Sequence, residues 1–320
     1  MTVSTDIPVR VTDIETVAEG VKRFRFATRD GSKLPEFSGG AHTVVTMRDG
    51  DTVRRNPYSL MSSPFDGSHY EISVLRTVDS RGGSVFMHDK VKVGSEMMIS
   101  QPVNLFPIDR RGRKHLLIAG GIGITPFMSM MNQLDREEMP FELYYCNRSP
   151  ARGAYIDRLS GLYGHRIHTF FDDKREALPL ARLLAGQPLG THLYVCGPSG
   201  MIDWVLASAR EAGWPDENVH SERFLAPPSG KPFKVDLAKS NKSIVVGQYQ
   251  SVLEAVEAAG VDAPYLCRGG ACGQCETSVI ACDGAIHHND HYLTDEEKRS
   301  GKKMMICVSR IDGAGVVLDL

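Results

Sequence analysis

The sequence predicts a multidomain fold in which an antiparallel β-barrel, an α/β domain and a small cysteine-rich domain follow one another along the chain. The chain has 320 residues, more than one compact core usually encloses, so two or three domains are expected. Residues 7–108 alternate on the strand period of two in several places, and the middle of the chain contains apolar strand runs that end in glycine turns. Five of the seven cysteines follow residue 260.

Composition and charge narrow the class of protein. Hydrophobic residues make up 42% of the chain and charged residues 24%, which is ordinary for a soluble globular protein and excludes a disordered chain. The 37 basic side chains nearly balance the 39 acidic ones, so neither nucleic acid nor an anionic membrane is predicted as a partner. Residues 1–10 contain no apolar segment, so no secretory signal is predicted and a cytoplasmic location is expected.

The middle of the chain is predicted to form the α/β domain. The apolar run 114–119 leads into the turn 120–126 and then into a helical pattern over 127–134. The uncharged stretch 115–134 is not predicted to span a membrane, because three glycines and a proline interrupt it. Further strand candidates are 141–145, 166–171 (followed by Asp172 and Asp173) and 192–195, and the last runs into the turn 196–201 and a helix from Ile202.

Glycine turns between a strand and a helix allow a phosphate or a nicotinamide to approach the backbone. The strict G-x-G-x-x-G fingerprint of dinucleotide sites is not met, because Gly121 and Gly123 are followed by Pro126. Either turn alone is therefore weak evidence for a nucleotide site.

Four cysteines have the spacing of an iron–sulfur site. Cys267, Cys272 and Cys275 form a C-x4-C-x2-C run, and Cys307 follows later, which is the pattern of a plant-type [2Fe–2S] cluster. Residues 268–271 are short-chained apart from Arg268, so the backbone can wrap closely and point N–H groups at the sulfurs.

Two alternatives to a cluster are a zinc site and coincidentally buried cysteines. Zinc ribbons favour two C-x2-C pairs, and this sequence has one. Cys282 fits no position of the cluster pattern and is predicted to be a bystander, and Cys146 and Cys196 lie in other segments.

Residues 234–320 resemble a plant-type ferredoxin domain with the β-grasp fold. Two strand runs, 233–237 and 244–246, flank a polar turn, and Ser251 with Glu254 forms a capping box for a helix that ends at Gly260. The preceding segment 226–232 contains three prolines and is predicted to be a linker.

The two glycine turns together resemble the pyridine-nucleotide domain of the ferredoxin–NADP reductase superfamily. The matching motifs are Gly-Gly-Ile-Gly-Ile-Thr-Pro at 120–126 and Cys-Gly-Pro-x-x-Met at 196–201. The resemblance implies that Thr125 and Cys196 lie near the nicotinamide, with no catalytic acid or base required. Cys196 has a second interpretation as a small buried hydrophobe at a strand end.

A segment of the predicted barrel resembles the flavin-binding Arg-x-Tyr-Ser motif of the same superfamily. Its sequence is Arg55-Asn56-Pro57-Tyr58-Ser59-Leu60. Arg55 precedes Tyr58 by three positions instead of two, which would turn its side chain to the other face unless a bulge at Pro57 restores the direction. Arg55 is thus either a flavin-phosphate ligand or a solvated arginine beside Arg54.

Two further segments complete the implied flavin site. Gly82, Gly83 and Ser84 precede a helical pattern over 85–91 and match the family's flavin-phosphate segment, although a plain helix-entry turn is the alternative. Phe224 matches an aromatic residue that approaches the flavin, or belongs to an ordinary core.

The order of segments resembles that of phthalate dioxygenase reductase and its relatives over essentially the whole chain. The resemblance implies an FMN-binding barrel at 1–109, an NAD-binding domain at 110–226, a linker at 227–233 and a [2Fe–2S] domain at 234–320. It also implies a monomer that uses NADH to reduce a Rieske-type oxygenase or demethylase. The alternatives are an FAD-containing reductase of another oxygenase type, a stand-alone NADH diaphorase, and an iron–sulfur sensor without flavin.

The implied contacts form two sets. The predicted cluster ligands are Cys267, Cys272, Cys275 and Cys307. The predicted flavin and nucleotide contacts are Arg55, Tyr58, Ser59, Leu60, Val74, Gly82, Gly83, Ser84, Gly120, Gly121, Gly123, Ile124, Thr125, Pro126, Asp172, Cys196, Gly197, Pro198, Met201 and Phe224.

Substitution of single cysteines tests the ligand assignment. Cys272→Ser should abolish or badly destabilise the cluster, because serine is a poor ligand for iron, while NADH still reduces the flavin bound in another domain. Cys282→Ser should leave the visible absorption spectrum unchanged. A bleached Cys282→Ser protein would contradict the assignment.

Overall fold

The computed structural model describes residues 6–50, 52–77 and 80–320. The chain divides into two compact units. Unit 1 comprises residues 1–45, 58–78 and 84–223, and unit 2 comprises residues 46–57, 79–83 and 224–320. The predicted nucleotide segment thus shares a unit with most of the predicted barrel, and residues 1–5 of that barrel lie outside the described residues.

An antiparallel sheet forms the first part of the chain. Its strands are β1 (Ile7–Ala18), β2 (Val21–Thr28), β3 (His42–Asp49), β4 (Thr52–Ser59), β5 (Tyr70–Leu75) and β6 (Glu96–Ile99), and helix α1 (Gly83–Asp89) lies between β5 and β6 in the chain. The strand order is β4-β3-β6-β1-β2-β5. Phe24 and Phe26 are fully buried, as the predicted alternation requires. Pro57 lies on the edge strand β4, where a missing N–H removes no bond to a further strand.

A parallel sheet forms the rest of unit 1. Its strands are β7 (Lys114–Gly120), β8 (Phe141–Asn147), β9 (Ile167–Phe171), β10 (Thr191–Cys196) and β11 (Val219–Glu222). The connecting helices are α2 (Thr125–Arg136), α3 (Ile156–Tyr163), α4 (Leu180–Ala185) and α5 (Ser199–Glu211). The strand order is β11-β10-β7-β8-β9. The chain adds β8 and β9 on one side of β7 and then β10 and β11 on the other side, so the order of addition reverses between β7 and β10. In doubly wound sheets, ligands bind beyond the carboxyl ends of the strands at such a switch point.

The uncharged stretch 115–134 contributes to three of these elements. It forms most of β7, a 3-10 turn over Gly121–Ile124 and most of α2. The glycines therefore separate a strand from a helix, as predicted. Within the described ranges, no helix has the length and apolar character needed to cross a membrane.

Unit 2 is built on a mixed sheet. Its strands are β12 (Phe233–Leu237), β13 (Lys242–Val246), β14 (Glu276–His287), β15 (Lys303–Met305) and β16 (Arg310–Leu318), and its helices are α6 (Val252–Ala258) and α7 (Asp295–Ser300). The order is β13-β12-β16-β14-β15, with β12 and β16 parallel. Val252, Leu253 and Val256 of α6 are buried in the same core as the sheet. This is the β-grasp arrangement predicted for a ferredoxin domain.

The predicted capping box of α6 is present. Ser251 Oγ accepts a bond from Glu254 N at 3.1 Å, and Glu254 Oε2 accepts one from Ser251 N at 2.8 Å. Gly260 follows the helix with a φ of 66°, the left-handed conformation that glycine adopts without strain. Each end of the helix is therefore specified by neighbouring residues.

The proline-rich segment before β12 is hydrogen-bonded within unit 2. Gly230 N donates to Gln248 O at 3.1 Å, and the buried Arg310 side chain donates to the carbonyls of Lys231 at 3.0 Å and Gly230 at 3.4 Å. Phe233, the last residue of the predicted linker, is 3% exposed and begins β12. The segment is thus held to the sheet, and strand structure begins at the last residue of the predicted linker.

Candidate functional site

The four predicted cluster cysteines lie together in unit 2. Cys275 ends the loop that precedes β14, Cys307 follows β15, and their sulfurs are 3.1 Å apart. The thiols of Cys267 and Cys272 also bond to each other. Three of the four side chains are buried, and that of Cys272 is partly exposed.

The loop backbone is shaped to face these sulfurs. Arg268, Gly270 and Gly273 all have left-handed φ angles, of 52°, 73° and 76°. Gly269 N donates to the sulfur of Cys267 at 3.4 Å. The bond from the Cys272 thiol and the nearby backbone amides lower the pKa of Cys267 to about 5 against the effect of burial, so this residue is available as a thiolate.

Four soft sulfur donors with backbone amides around them fit a [2Fe–2S] cluster. Cys282 instead lies on β14, where it is half-buried against the hydrophobic core and burial raises the pKa of its thiol. Cys146 lies on β8 and Cys196 on β10, both in unit 1. The structure thus groups the cysteines as the spacing predicted.

A buried ion pair holds the cluster loop. The Arg268 side chain is 4% exposed and makes a two-pronged contact with the Glu257 carboxylate, one bond being Nη1 to Oε2 at 3.0 Å. Its guanidinium also lies 3.9 Å over the Tyr265 ring. Because a buried guanidinium needs a partner, Glu257 fixes the conformation of the residue directly after Cys267.

The same carboxylate contacts Arg55, the predicted flavin-phosphate ligand. Arg55 Nη1 donates to Glu257 Oε2 at 3.1 Å. Arg81 makes a matching contact one helical turn earlier, to Glu254 Oε2 at 3.2 Å. A cavity of about 410 Å³, lined by residues 52–55 and by residues of the 249–258 segment, lies beside these pairs. In this structure, both arginines are thus paired with glutamates of α6.

Gly82 and Gly83 lie against side chains of β3 and β4. Gly82 has a φ of 103°, and a Cβ atom on it would lie 2.9 Å from the Arg54 guanidinium carbon. A Cβ atom on Gly83 would lie 2.3 Å from Asn56 Nδ2. Packing of these glycines is therefore tight whether or not they also receive a phosphate.

In the rest of the predicted flavin motif, the Ser59 hydroxyl is buried and unpaired among the described residues. Ser59 is 5% exposed, and its hydroxyl has no hydrogen-bond partner among the described residues. Leu60 and Val74 are also buried, and Ser84 Oγ bonds to the backbone N–H of Thr77 at 3.2 Å. Buried hydroxyls are normally paired, so the polar edge of a flavin would satisfy Ser59.

The two predicted nucleotide turns meet at the switch point between β7 and β10. A Cβ atom on Gly123 would lie 2.2 Å from Cys196 O, and one on Gly120 would lie 2.7 Å from Pro198 Cδ and 2.6 Å from Met201 Sδ. A Cβ atom on Gly197 would lie 3.0 Å from the Gly120 Cα atom. Glycine is required on both sides, because backbone packs directly on backbone.

Hydrogen bonds fix the first turn. Thr125 Oγ1 donates to Ile122 O at 3.0 Å, and Tyr145 Oη donates to Gly121 O at 3.1 Å. Ile124, Thr125 and Pro126 are buried at the start of α2. Cys196 is fully buried, and burial raises the pKa of its thiol, so it is a neutral group at this edge.

The loops after β8 and β9 are neighbours. Asp173 N donates to Arg148 O at 3.0 Å, and the side chains of Arg148 and Asp172 are exposed. Arg148, which could bind the 2′-phosphate of NADPH, and Asp172 and Asp173, which would repel it, therefore lie together beyond the carboxyl ends of β8 and β9.

One residue at this edge was not predicted as a site residue. Glu222 ends β11 in register with Cys196, and its Oε2 atom is buried without a partner among the described residues. Burial raises the pKa of Glu222 to about 8. The sequence signal was an acidic residue at the end of a strand, but its burial depends on the strand order. Phe224, two residues later, is 50% exposed, so the alternative of an ordinary core residue is wrong.

A ferredoxin domain with four grouped cysteines, a doubly wound nucleotide-binding sheet and a flavin-type barrel define an iron–sulfur flavoprotein oxidoreductase. A family model described as "Dimethylamine monooxygenase subunit DmmA-like, N-terminal domain" matches residues 96–219, and one described as "2Fe-2S iron-sulfur cluster binding domain" matches residues 235–312. The solved structure of phthalate dioxygenase reductase, described as modular for electron transfer from pyridine nucleotides to [2Fe-2S], superposes with a TM-score of 0.89 at 33% identity over 98% of each chain.

Two curated relatives match over nearly their full length. The carnitine monooxygenase reductase subunit of Acinetobacter baumannii is 45% identical over 98% of each chain. The heme-dependent oxidative N-demethylase beta subunit of Ectopseudomonas mendocina is 42% identical over 99% of this chain and 100% of its own. The chain belongs to the phthalate dioxygenase reductase family of oxygenase reductase subunits, as its motifs predicted.

Removal of the Glu257 carboxylate should destabilise unit 2. Glu257→Ala leaves the Arg268 guanidinium without its two-pronged partner, at a cost of about 3 kcal/mol for a largely buried pair. The denaturant concentration at which the cluster absorbance is lost should fall accordingly. Asp319→Ala is the matched control, because its exposed pair with Lys239 contributes less than about 1 kcal/mol. Equal midpoints for the two variants would contradict the prediction.

The buried Glu222 should make stability depend on pH. Its pKa is about 8 in the folded chain against an ordinary value of 4.5, so the folded chain holds a proton that the unfolded chain releases between these values. The free energy of unfolding should therefore decrease as pH rises from 5 to 8, by at most about 1.4 kcal/mol per pH unit for this group. Glu222→Gln should remove this contribution.

Fluorescence of Trp204 and Trp214, the two tryptophans of the chain, reports unfolding of unit 1 in this test. Urea titrations at several pH values, with and without Glu222→Gln, measure the difference in slope. Parallel pH profiles for the two proteins would show that Glu222 is ionised in the folded chain.

Proposed function

We propose that this protein takes a hydride from NADH onto FMN and passes single electrons through a [2Fe–2S] cluster to a Rieske-type oxygenase or demethylase. The observation that carries the proposal is the set of four cysteines grouped in unit 2, in a chain whose unit 1 has a glycine-rich switch point for a nucleotide. When bound, a flavin accepts a two-electron hydride and releases electrons singly, which matches the one-electron capacity of a [2Fe–2S] cluster.

The proposal divides the chain into functional segments. Residues 1–109 bind the flavin, 110–226 the nucleotide and 234–320 the cluster, with 227–233 between them. Tyr58, Ser59, Leu60 and Val74 contact the flavin ring, and the backbone at 82–84, with Arg55, receives its phosphate. The supporting observations are the unpaired Ser59 hydroxyl and the tight fit of both glycines.

The chain's own residues position and insulate the reacting groups. The glycines of the turns at 120–126 and 196–201 expose backbone, against which a planar nicotinamide can lie. Cys196 supplies a neutral, water-free neighbour, because its thiol is buried and its pKa is raised. Hydride transfer needs no acid or base from the protein, so these residues act by orientation and exclusion of water.

FMN is proposed in preference to FAD because residues 1–108 contain no recognisable adenine site. The protein as isolated should be red-brown, with about one flavin and two irons per chain. Chromatography of the flavin released by mild denaturation distinguishes the two cofactors, and elution as FAD would contradict this part of the proposal.

The partner is tested by reconstitution. The purified protein is mixed anaerobically with NADH and a Rieske-type oxygenase component, and reduction of the Rieske centre is followed by visible absorption. Wild-type protein should reduce it, whereas Cys272→Ser should reduce only ferricyanide, which takes electrons directly from the flavin. Failure with Rieske components, together with rapid turnover with oxygen alone, would favour a diaphorase.

A haem-containing oxygenase is the second candidate partner. It is favoured by the relative named as a subunit of a heme-dependent oxidative N-demethylase, which is 42% identical to this chain. The same reconstitution with a haem-dependent demethylase distinguishes the two, since the ferrous haem spectrum appears only if that protein accepts the electrons.

Nucleotide preference follows from the charges after β9. Asp172 and Asp173 would repel the 2′-phosphate of NADPH, whereas an NAD site tolerates carboxylates beside the ribose hydroxyls. NADH should be preferred by at least about tenfold in kcat/KM, which corresponds to about 1.4 kcal/mol. Steady-state kinetics with both nucleotides measures the ratio. Equal values, or a preference for NADPH that Arg148→Ala abolishes, would make Arg148 a phosphate ligand.

A further inference from the structure

We propose that unit 1 also contains a divalent transition-metal site formed by Asp109, His192 and His220. One carboxylate oxygen of Asp109 and one ring nitrogen of each histidine lie within 4.8 Å of one another. Two imidazole nitrogens and a carboxylate oxygen are a donor set that Zn²⁺, Co²⁺ and Ni²⁺ bind. The proposal is independent of the electron-transfer function, which uses none of these residues.

The site lies at the end of the sheet opposite the nucleotide turns. His192 is the second residue of β10 and His220 the second of β11, so both lie at amino ends of parallel strands. Gly120 and Cys196, in contrast, lie at the carboxyl ends of their strands. A metal here would stabilise the joint between the sheet and the connection that carries Asp109.

The donor atoms lie near the spacing of a tetrahedral metal site, one pair slightly closer and another wider. His192 Nδ1 is 3.0 Å from His220 Nε2 and 3.9 Å from Asp109 Oδ2. Ligand atoms bound to zinc at 2.0–2.1 Å in a tetrahedron are about 3.3 Å apart. Small side-chain adjustments therefore suffice to bring the three protein donors into place, and a water molecule would take the fourth position.

Neighbouring residues hold these side chains in place. The Tyr194 ring stacks on His220 at 4.4 Å, and its hydroxyl accepts a bond from Asp109 N at 2.7 Å. His115 Nε2 lies 3.1 Å from Asp109 O. A Cβ atom on Gly112 would lie 2.9 Å from that same His115 nitrogen, so the connection closes tightly over the histidines. Such supporting contacts orient metal ligands before the metal binds.

The two histidines already face each other without a metal. His192 Nδ1 and His220 Nε2 share one N–H bond of 3.0 Å, and their ring planes are within 9° of parallel. In a pair of neutral imidazoles, metal binding at both nitrogens moves that proton to the other nitrogen of its ring, and none is released.

Arg111 competes with the metal for Asp109. Its Nε atom donates to Oδ1 at 3.0 Å and to Oδ2 at 3.2 Å, so the guanidinium supplies positive charge when metal is absent. The Arg111 side chain is 79% exposed, so it can turn into solvent at little cost. Removing this side chain should therefore strengthen metal binding while leaving all three donors in place.

Electron paramagnetic resonance of Co²⁺ tests the site in the oxidised holoprotein. An oxidised [2Fe–2S] cluster and an oxidised flavin give no signal, so bound Co²⁺ is observed directly. Titration should show one saturable site from which Zn²⁺ displaces Co²⁺. His220→Gln should weaken Co²⁺ binding by at least about tenfold. Loss of a residue that only supports a ligand already costs about that much, and His220 is proposed as a ligand itself. Arg111→Ala should bind Co²⁺ more tightly.

Thiols outside the cluster are the main competing ligands. Cys146→Ser and Cys282→Ser serve as matched controls and should leave the Co²⁺ titration unchanged. Absence of saturable binding would overturn the proposal. Equal binding by the wild type and His220→Gln, or an Arg111→Ala titration identical to the wild type, would overturn it as well.

Discussion

The grouping of four cysteine sulfurs from one loop and from the end of β15 is the constraint on which unit 2 depends. The loop after Cys267 turns through left-handed residues, which directs a backbone N–H at a sulfur. Arg268 adds a buried positive charge at the same place, and Glu257 holds that charge in position. The β-grasp sheet then provides the rigid frame, because Cys275 and Cys307 adjoin β14 and β15.

In unit 1, the corresponding constraint is close approach of two backbones. The sheet order places the end of β7 beside the end of β10, and only glycine permits the turns after both strands to touch. His192 and His220, at the other end of β10 and β11, instead lie beside each other and close to the Asp109 carboxylate. The two ends of the sheet thus carry different groups, closely packed glycine turns at the carboxyl ends of β7 and β10 and histidines at the amino ends of β10 and β11.

Features with local signals could be predicted from the sequence. The capping box at Ser251 and the run Cys267-Cys272-Cys275 each involve residues close in the chain; the box forms and the run lies in one loop, as predicted. The pairing of Arg55 with Glu257 joins residues 202 positions apart, of types that are common on surfaces, so nothing in the sequence indicated it. The burial of Glu222 depends on which strand lies beside β11. Helix α5 begins at Ser199, before the predicted Ile202, because the glycine turn itself adopts helical geometry.

The attachment of the proline-rich segment bears on how such modules recombine. The Arg310 side chain is 2% exposed and reaches carbonyls on both sides of β12 and β13, among them Lys231 O at 3.0 Å and Gly247 O at 3.1 Å. A ferredoxin module that began at Phe233 would lack the carbonyls of Gly230 and Lys231 and leave a buried cation partly unsatisfied. A module that begins before Ala226 retains these carbonyls. The ferredoxin module that can move between proteins is therefore longer than its sheet.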